Sequence, residues 1–139
     1  MTDIYVLDTN IISALVNLSV PDMVTSPLIH RVQTHQQSSL IICECVLYEI
    51  ERGLTYNQSK NKLSRFYTSI LPLFQVTPII LVDWKSAGVL WSSARAKGRQ
   101  LSDIDLLVAS VALRLNGVVV TDDRDFDILP VTTENWLHL

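Results

Sequence analysis

The sequence predicts a single α/β domain, spanning residues 1–139, built on a short parallel sheet with helices over both faces. Three observations lead there. Short β-rich runs alternate along the chain with segments of helical periodicity. The runs at 4–7, 40–42 and 118–120 are apolar throughout and lack the in–out alternation of a half-exposed sheet, as strands buried on both faces must. The chain has 139 residues, 48% of them hydrophobic, which suits one core burying roughly two-thirds of the unfolded surface.

In order, Ile4-Tyr5-Val6-Leu7 is the first strand, stopped by Asp8-Thr9-Asn10. Thr9 or Asn10 then caps the helix implied by the spacing of Ile11, Ile12, Leu15 and Val16. Residues 17–25 read as a loop, and Ser26-Pro27 opens a second helix with a cap followed by an N1 proline. Leu40-Ile41-Ile42 is a buried strand, followed by a helix from about Glu44 to Gly53. Residues 57–71 predict one polar-faced helix carrying Lys60, Lys62 and Arg65. A strand lies within 74–82, interrupted by Pro78; Asp83 caps a helix reaching about Lys97, which Gly98 ends. Ser102 or Asp103 caps the next helix, which runs to Asn116 with Gly117 as its C-cap. Val118-Val119-Val120 is a strand ending at Thr121, and a turn around Asp125-Phe126-Asp127 leads to a last small strand near Val131-Thr132. No internal repeat, low-complexity tract or linker divides the chain.

Charged residues make up only 18% of the chain. So low a share predicts that a partner covers part of the apolar surface. A net charge of −3 gives no general nucleic-acid footprint, although an acidic site neutralised by a cation still admits phosphate. Cys43 and Cys45 are the only cysteines; with no second pair they form neither a disulfide framework nor a zinc knuckle, and they read as core thiols. No basic leader precedes the first strand, and the longest apolar runs fall far short of the ~20 residues of a membrane span. The expected location is the cytoplasm.

Against this sparing use of charge, acidic residues recur where strands hand over to helices: Asp8, Glu49, Asp103 with Asp105, and Asp122, Asp123 and Asp125. In open parallel sheets, ligands bind beyond the carboxyl ends of the strands where the strand order reverses. If the 4–7 and 118–120 strands are neighbours there, these acids converge, and converging carboxylates repel unless a cation sits among them. Each has a plainer role open to it. Asp8 and Asp103 suit helix caps, and the acids after Thr121 suit a solvated turn. Residues two apart on a helix do not share a face. Asp105, followed by Leu106-Leu107-Val108, needs compensation more than Asp103 does. Glu49 shares its helix face with Gly53, which leaves room for a ligand, whereas Glu51 adjoins Arg52 as a surface pair; spacing favours Glu49 without deciding it. Thr121 at the strand end is placed to donate its hydroxyl to a carboxylate or to metal-bound water.

Hard oxygen donors without paired His or Cys select Mg²⁺ or Mn²⁺, ions that assist in-line displacement at phosphate. His30, His35 and His138 are remote from the acidic segments in sequence, and no Gly-x-Ser-x-Gly elbow or glycine-rich phosphate loop is present. Metal-assisted phosphodiester hydrolysis fits best.

The residues Leu7-Asp8-Thr9-Asn10, the Glu49-x-x-x-Gly53 helix, Ser102-Asp103-Ile104-Asp105-Leu106-Leu107-Val108-Ala109, and Val120-Thr121-Asp122-Asp123-Arg124-Asp125-Phe126 with Trp136 behind them together resemble a PIN domain. They are most similar to the small VapC-type toxins of bacterial toxin–antitoxin pairs, in the family's order and over nearly the whole chain. The resemblance implies a three-layer α/β/α sandwich and an Mg²⁺- or Mn²⁺-dependent endoribonuclease. It implies Asp8, Glu49, Asp105 and Asp123 as the catalytic, metal-holding quartet, supported by Asn10, Asp103, Thr121 and Asp125. It also implies an RNA substrate, a homodimer and a cognate antitoxin. Arg52, Lys60, Lys62, Arg65, Arg95, Lys97 and Arg99 are available to an RNA backbone, though a solvated helix face explains each of them.

Two other functions compete. In a phosphoaspartyl protein of the receiver or haloacid-dehalogenase type, Asp8 would be the nucleophile, but the position two residues on is Asn10 and no lysine follows Lys97. A non-catalytic module binding RNA or protein would leave clustered carboxylates uncompensated.

Overall fold

Ile4–Leu7 forms β1, and everything in it after Ile4 is buried although successive side chains point to opposite faces. The same holds for β2, Ser39–Cys43, after its first residue. Both faces of the central sheet are therefore covered by helices, as expected. The structure, a computed structural model, describes residues 3–138; the remaining three residues of the expected 1–139 domain lie outside the described residues. With β3 (Gln75–Thr77), β4 (Val118–Val120) and β5 (Thr132–Glu134), the sheet has five strands in the order β3-β2-β1-β4-β5. All four pairings are parallel, with Tyr5 opposite Val118 and Leu7 opposite Val120 in the central one. The chain works outward from β1 through β2 to β3, then crosses back to β4. The strand order thus reverses between β1 and β4. Only the edge strands β3 and β5 are polar and exposed, as suits strands with one open side.

The helices are α1 (Thr9–Val16), α2 (Asp22–Thr25), α3 (Pro27–Thr34), α4 (Glu44–Tyr56), α5 (Lys60–Arg65), α6 (Leu81–Ala96) and α7 (Asp103–Leu115). The core includes Val6, Leu7, Ile11, Ile12, Ile42, Val46, Phe66, Leu106, Val108 and Trp136, each at most 1% exposed. Trp136 closes it from the C-terminal end by stacking on His35, with ring centroids 4.6 Å apart, and packing on Tyr5 at 5.1 Å.

Several boundaries differ from expectation for identifiable reasons. Asp8, not Thr9 or Asn10, caps α1, accepting the Thr9 N–H at 2.8 Å. The expected loop at 17–25 contains the single turn α2. The segment at 57–71 is not one helix. Gln58 takes a positive φ of 55° and breaks the chain from α4. After α5 the backbone widens into a π-helical turn, Phe66–Ile70, in which the Leu71 N–H bonds to the Phe66 carbonyl. Pro72 offers no N–H to continue an α-helix. The helix expected to start at Asp83 begins at Leu81; Asp83 sits in its first turn and accepts the Ile80 N–H at 3.0 Å. At the end of α7 the left-handed residue is Asn116, φ 55°, not Gly117. Gly117 serves close packing instead, since a Cβ there would lie 3.0 Å from both Ile4 Cγ2 and the Ile4 carbonyl oxygen.

A buried ion pair joins α6 to α7. Arg114 donates to both carboxylate oxygens of the fully buried Asp83, at 2.9 and 3.0 Å, and to the Pro78 carbonyl at 3.3 Å. No helix among the described residues is long and apolar enough to cross a membrane.

Candidate active site

Asp8 leaves β1 at the point where the strand order reverses, its N–H bonded to the Val120 carbonyl of β4 at 2.9 Å. It is 3% exposed, and each of its carboxylate oxygens is claimed. Oδ1 accepts from the Thr9 N–H at 2.8 Å, and Oδ2 accepts from the Thr121 hydroxyl at 2.9 Å. Thr121 thus joins the ends of β1 and β4. Its oxygen also accepts from the Asp123 N–H at 3.0 Å and, at 3.4 Å, from the Asn10 side-chain amide. Asn10 in turn accepts the Asp122 N–H at 3.3 Å.

Ser102 caps α7, accepting the Asp105 N–H at 3.1 Å, so the cap is Ser102 and not Asp103. Asp105 then lies in the first turn of α7, on the side of Asp8 and Asp123. Asp103 is exposed on another side of α7, in a cleft with Trp84 and Trp91, and does not join the cluster. Asp123 caps the 3-10 turn at Arg124–Ile128 by accepting the Asp125 N–H at 2.8 Å. Carboxylate oxygens of Asp105, Asp123 and Asp125 lie within 4.8 Å of one another, the single such group of metal-ligating side chains among the described residues. One Asp125 oxygen is engaged by Arg99 at 2.6 Å. Asp122 turns away, bonded to the Asn135 amide at 2.7 Å.

The electrostatics show which acids share one field. Burial raises the Asp8 carboxyl above its ordinary range, against the opposing Thr121 and Thr9 hydrogen bonds, and the charges of Asp123 and Glu49 raise it further. Asp105 is pushed up to about 7, first by burial, then by the charge of Asp8, with Asp123 and Glu49 adding to it against a Ser102 hydrogen bond. Asp8, Glu49, Asp105 and Asp123 therefore sit within electrostatic reach of one another. Asp8 and Glu49 stand outside the tight group that Asp125 joins. Like charges held this close, all on oxygen donors, suit a hard divalent cation such as Mg²⁺ or Mn²⁺.

Two sequence inferences need correction. Arg52 pairs with Glu49, at 3.3 Å across one turn of α4, and not with Glu51; Glu51 instead takes the Tyr67 hydroxyl. Arg52 also lies over the Tyr48 ring, 5.0 Å from its centroid. His138 is not remote from the acids: Nε2 is 4.0 Å from Asp122, because the chain after β5 returns beside β4. Cys43 and Cys45 are free thiols, the first buried and the second partly so. The contacts that the sequence left unseen, Arg99 with Asp125 and Asn135 with Asp122, are long-range pairings with no local spacing signal.

Known proteins resemble this chain over most of its length. The PIN domain family model matches residues 5–131. The chain is 30% identical to ribonuclease VapC2 of Rickettsia felis over 142 aligned positions, covering 96% of this chain and 98% of that one. It is 28% identical to ribonuclease VapC11 of Mycobacterium tuberculosis over 102 residues, 73% of this chain and 74% of the relative. Among solved structures, VapBC2 of Rickettsia felis, crystallised with a DNA fragment from its promoter, superimposes with a TM-score of 0.80 at 25% identity over 96% of this chain and 98% of that chain.

Proposed function

This chain belongs to the PIN-domain family, in company with VapC proteins, and from there we propose that it is an Mg²⁺- or Mn²⁺-dependent endoribonuclease, the toxin of a toxin–antitoxin pair. The observation that carries the reading is the meeting of the Asp105, Asp123 and Asp125 carboxylates within 4.8 Å, with Asp8 tied to Asp123 through Thr121, at the reversal of strand order; Glu49 acts on the same charges. Asp8, Glu49, Asp105 and Asp123 would hold the ion. Such an ion would supply Lewis acidity, offsetting phosphate charge and making water a better nucleophile.

The chain's own residues prepare the site. Thr121, hydrogen-bonded to both Asp8 and the Asp123 backbone, fixes two acids from different strands against each other. Ser102 and the first turn of α7 orient Asp105. Arg99 holds Asp125 to one side of the group and lowers the net negative charge that an approaching phosphate meets. Arg52 does the same for Glu49. Asn10 ties the turn after β4 to the start of α1. A phosphoaspartyl role for Asp8 has less support, because the position two residues on is Asn10 and no lysine follows Lys97.

A homodimer and an antitoxin partner belong to the same reading. The antitoxin is supported by the VapBC assembly of the structural neighbour, and a protein partner of either kind by apolar side chains exposed on α6, Leu81, Trp84 and Val89 being 57–70% exposed. The cytoplasm is the proposed location.

The test is cleavage of RNA by purified protein with Mn²⁺ or Mg²⁺. Cleavage is expected to vanish in Asp8→Asn and Asp105→Asn with the fold intact, and in excess EDTA. Cleavage that survives both substitutions or the chelator refutes the assignment. Expression in cells should arrest growth with the wild type and not with Asp8→Asn if the protein is a toxin.

A further inference from the structure

Helices α1 and α4 lie side by side, and helical spacing sets Thr9, Ser13 and Val16 of α1 across from Glu49 and Gly53 of α4. Between them is a cavity of ≈ 270 Å³. Glu49 lines this cavity and also acts on Asp8 and Asp105, so the cavity opens directly beside the acidic cluster. Two features mark it as a place for a ligand. A Cβ on Gly53 would meet nothing within 4 Å, so the glycine keeps open space that any other side chain would enter. At the far end Lys62 bonds to Asn17 Oδ1 at 2.8 Å and forms no salt bridge among the described residues.

We propose that this cavity receives one unpaired nucleobase of an RNA strand whose neighbouring phosphate lies at the acids, and so selects the nucleotide that flanks the cut. The proposal rests on the ribonuclease reading above. The chemistry favours a base over a peptide side chain. The walls offer neutral groups that both donate and accept, the hydroxyl of Ser13 and the amide of Asn57, as a Watson–Crick edge requires. Val16, Ile50 and Leu54 supply apolar surface for the ring faces. The Lys62 ammonium at the rim suits the next phosphate. An aliphatic or aromatic peptide anchor would leave those polar groups unpaired. The volume lies at the lower end of small-ligand sites, roughly 300 Å³, which is a single-nucleoside scale.

The test separates this subsite from the nuclease activity. Fluorescent short homopolymers of A, C, G and U are titrated into the chain carrying Asp105→Asn, so that RNA stays whole, and into the same chain with Gly53→Gln or Asn57→Ala. Gly53→Gln fills the cavity, and because glycine is a poor helix residue its thermal midpoint should equal or exceed that of its parent. One homopolymer is expected to bind about fivefold or more tighter than the others, and both substitutions should erase that preference. Equal binding of all four, or a preference that survives Gly53→Gln, overturns the proposal. So does a preference that Gly53→Gln leaves intact while it weakens inhibition by a co-purified partner protein, since the cavity would then be a protein-docking site. Cleavage by the chain with Asp105 intact is measured in parallel. Cutting without base preference removes the subsite alone, and base preference without cutting removes the nuclease reading alone.

Discussion

Replacing Asp105 with Asn should make the metal-free protein more stable while abolishing its activity. In the folded chain Asp105 is pushed up to about 7, by burial first and by the charge of Asp8 next, against an ordinary value near 3.9. A carboxyl raised on folding contributes its full stability below the unfolded value and loses it as pH rises through the folded one. The wild type without metal should therefore weaken between about pH 4 and pH 7. A shift of roughly three pH units corresponds to about 4 kcal/mol. Asp105 is only partly buried, and solvent screening reduces this to about 2 kcal/mol. For a chain of this length that is on the order of 5–8 °C in Tm. Circular dichroism melts in EDTA at pH 4 and pH 8 measure it directly. Asp105→Asn should melt higher than wild type at pH 8 and level with it at pH 4, and Mn²⁺ should raise the wild type more than the variant. A variant that melts below wild type at pH 8, or by the same margin at both pH values, refutes the charge-crowding argument.

Thr121→Val removes the hydroxyl that serves Asp8, Asp123 and Asn10 at once. It should cost about 1–3 kcal/mol in urea denaturation and weaken Mn²⁺ binding, with Thr121→Ser restoring most of both. Arg114→Ala strands the buried Asp83 carboxylate and should cost about 3 kcal/mol or more, while the RNA cleavage rate per folded molecule, measured well below the melting temperature, stays at the wild-type value. Gly117→Ala pushes a methyl against Ile4 and should cost about 1–3 kcal/mol through displacement of α7 from β1, read as a lower urea midpoint with unchanged slope.

Local chemistry explains what was legible in the sequence. The valine and isoleucine runs of β1, β2 and β4 announce strands buried on both faces, and that alone implies a parallel sheet with its ligand site beyond the strand ends. Ser26-Pro27 and Ser102 mark helix starts because capping is decided within one turn. Asp105 over Asp103 follows from helix geometry plus the apolar residues around it. The failures have a common cause. Thr9 or Asn10 was expected to cap α1, and Asp8 does so with one oxygen while the other faces Thr121, because spacing does not say which of three adjacent polar side chains turns back to the helix. Asp83 was expected to be the cap and sits instead in the first turn of α6, paired in the core with Arg114, 31 residues away. Asp125 enters the tight acidic group, where only a supporting place was expected, because Asp123 caps the turn that carries it. Spacing within one element resolves caps and faces. It cannot resolve which of several adjacent acids a distant cation or hydroxyl will claim.

The account stands most directly on calorimetric titration of Mn²⁺ into the folded chain near pH 7. Acids from four distant segments that share one field should bind the ion in a saturable step, with proton release from Asp105 that grows as the pH is lowered below 7, and each of Asp8→Asn, Asp105→Asn and Asp123→Asn should weaken that step severely. A well-folded chain that takes up no Mn²⁺, or whose uptake is untouched by Asp8→Asn and Asp123→Asn together, contradicts it.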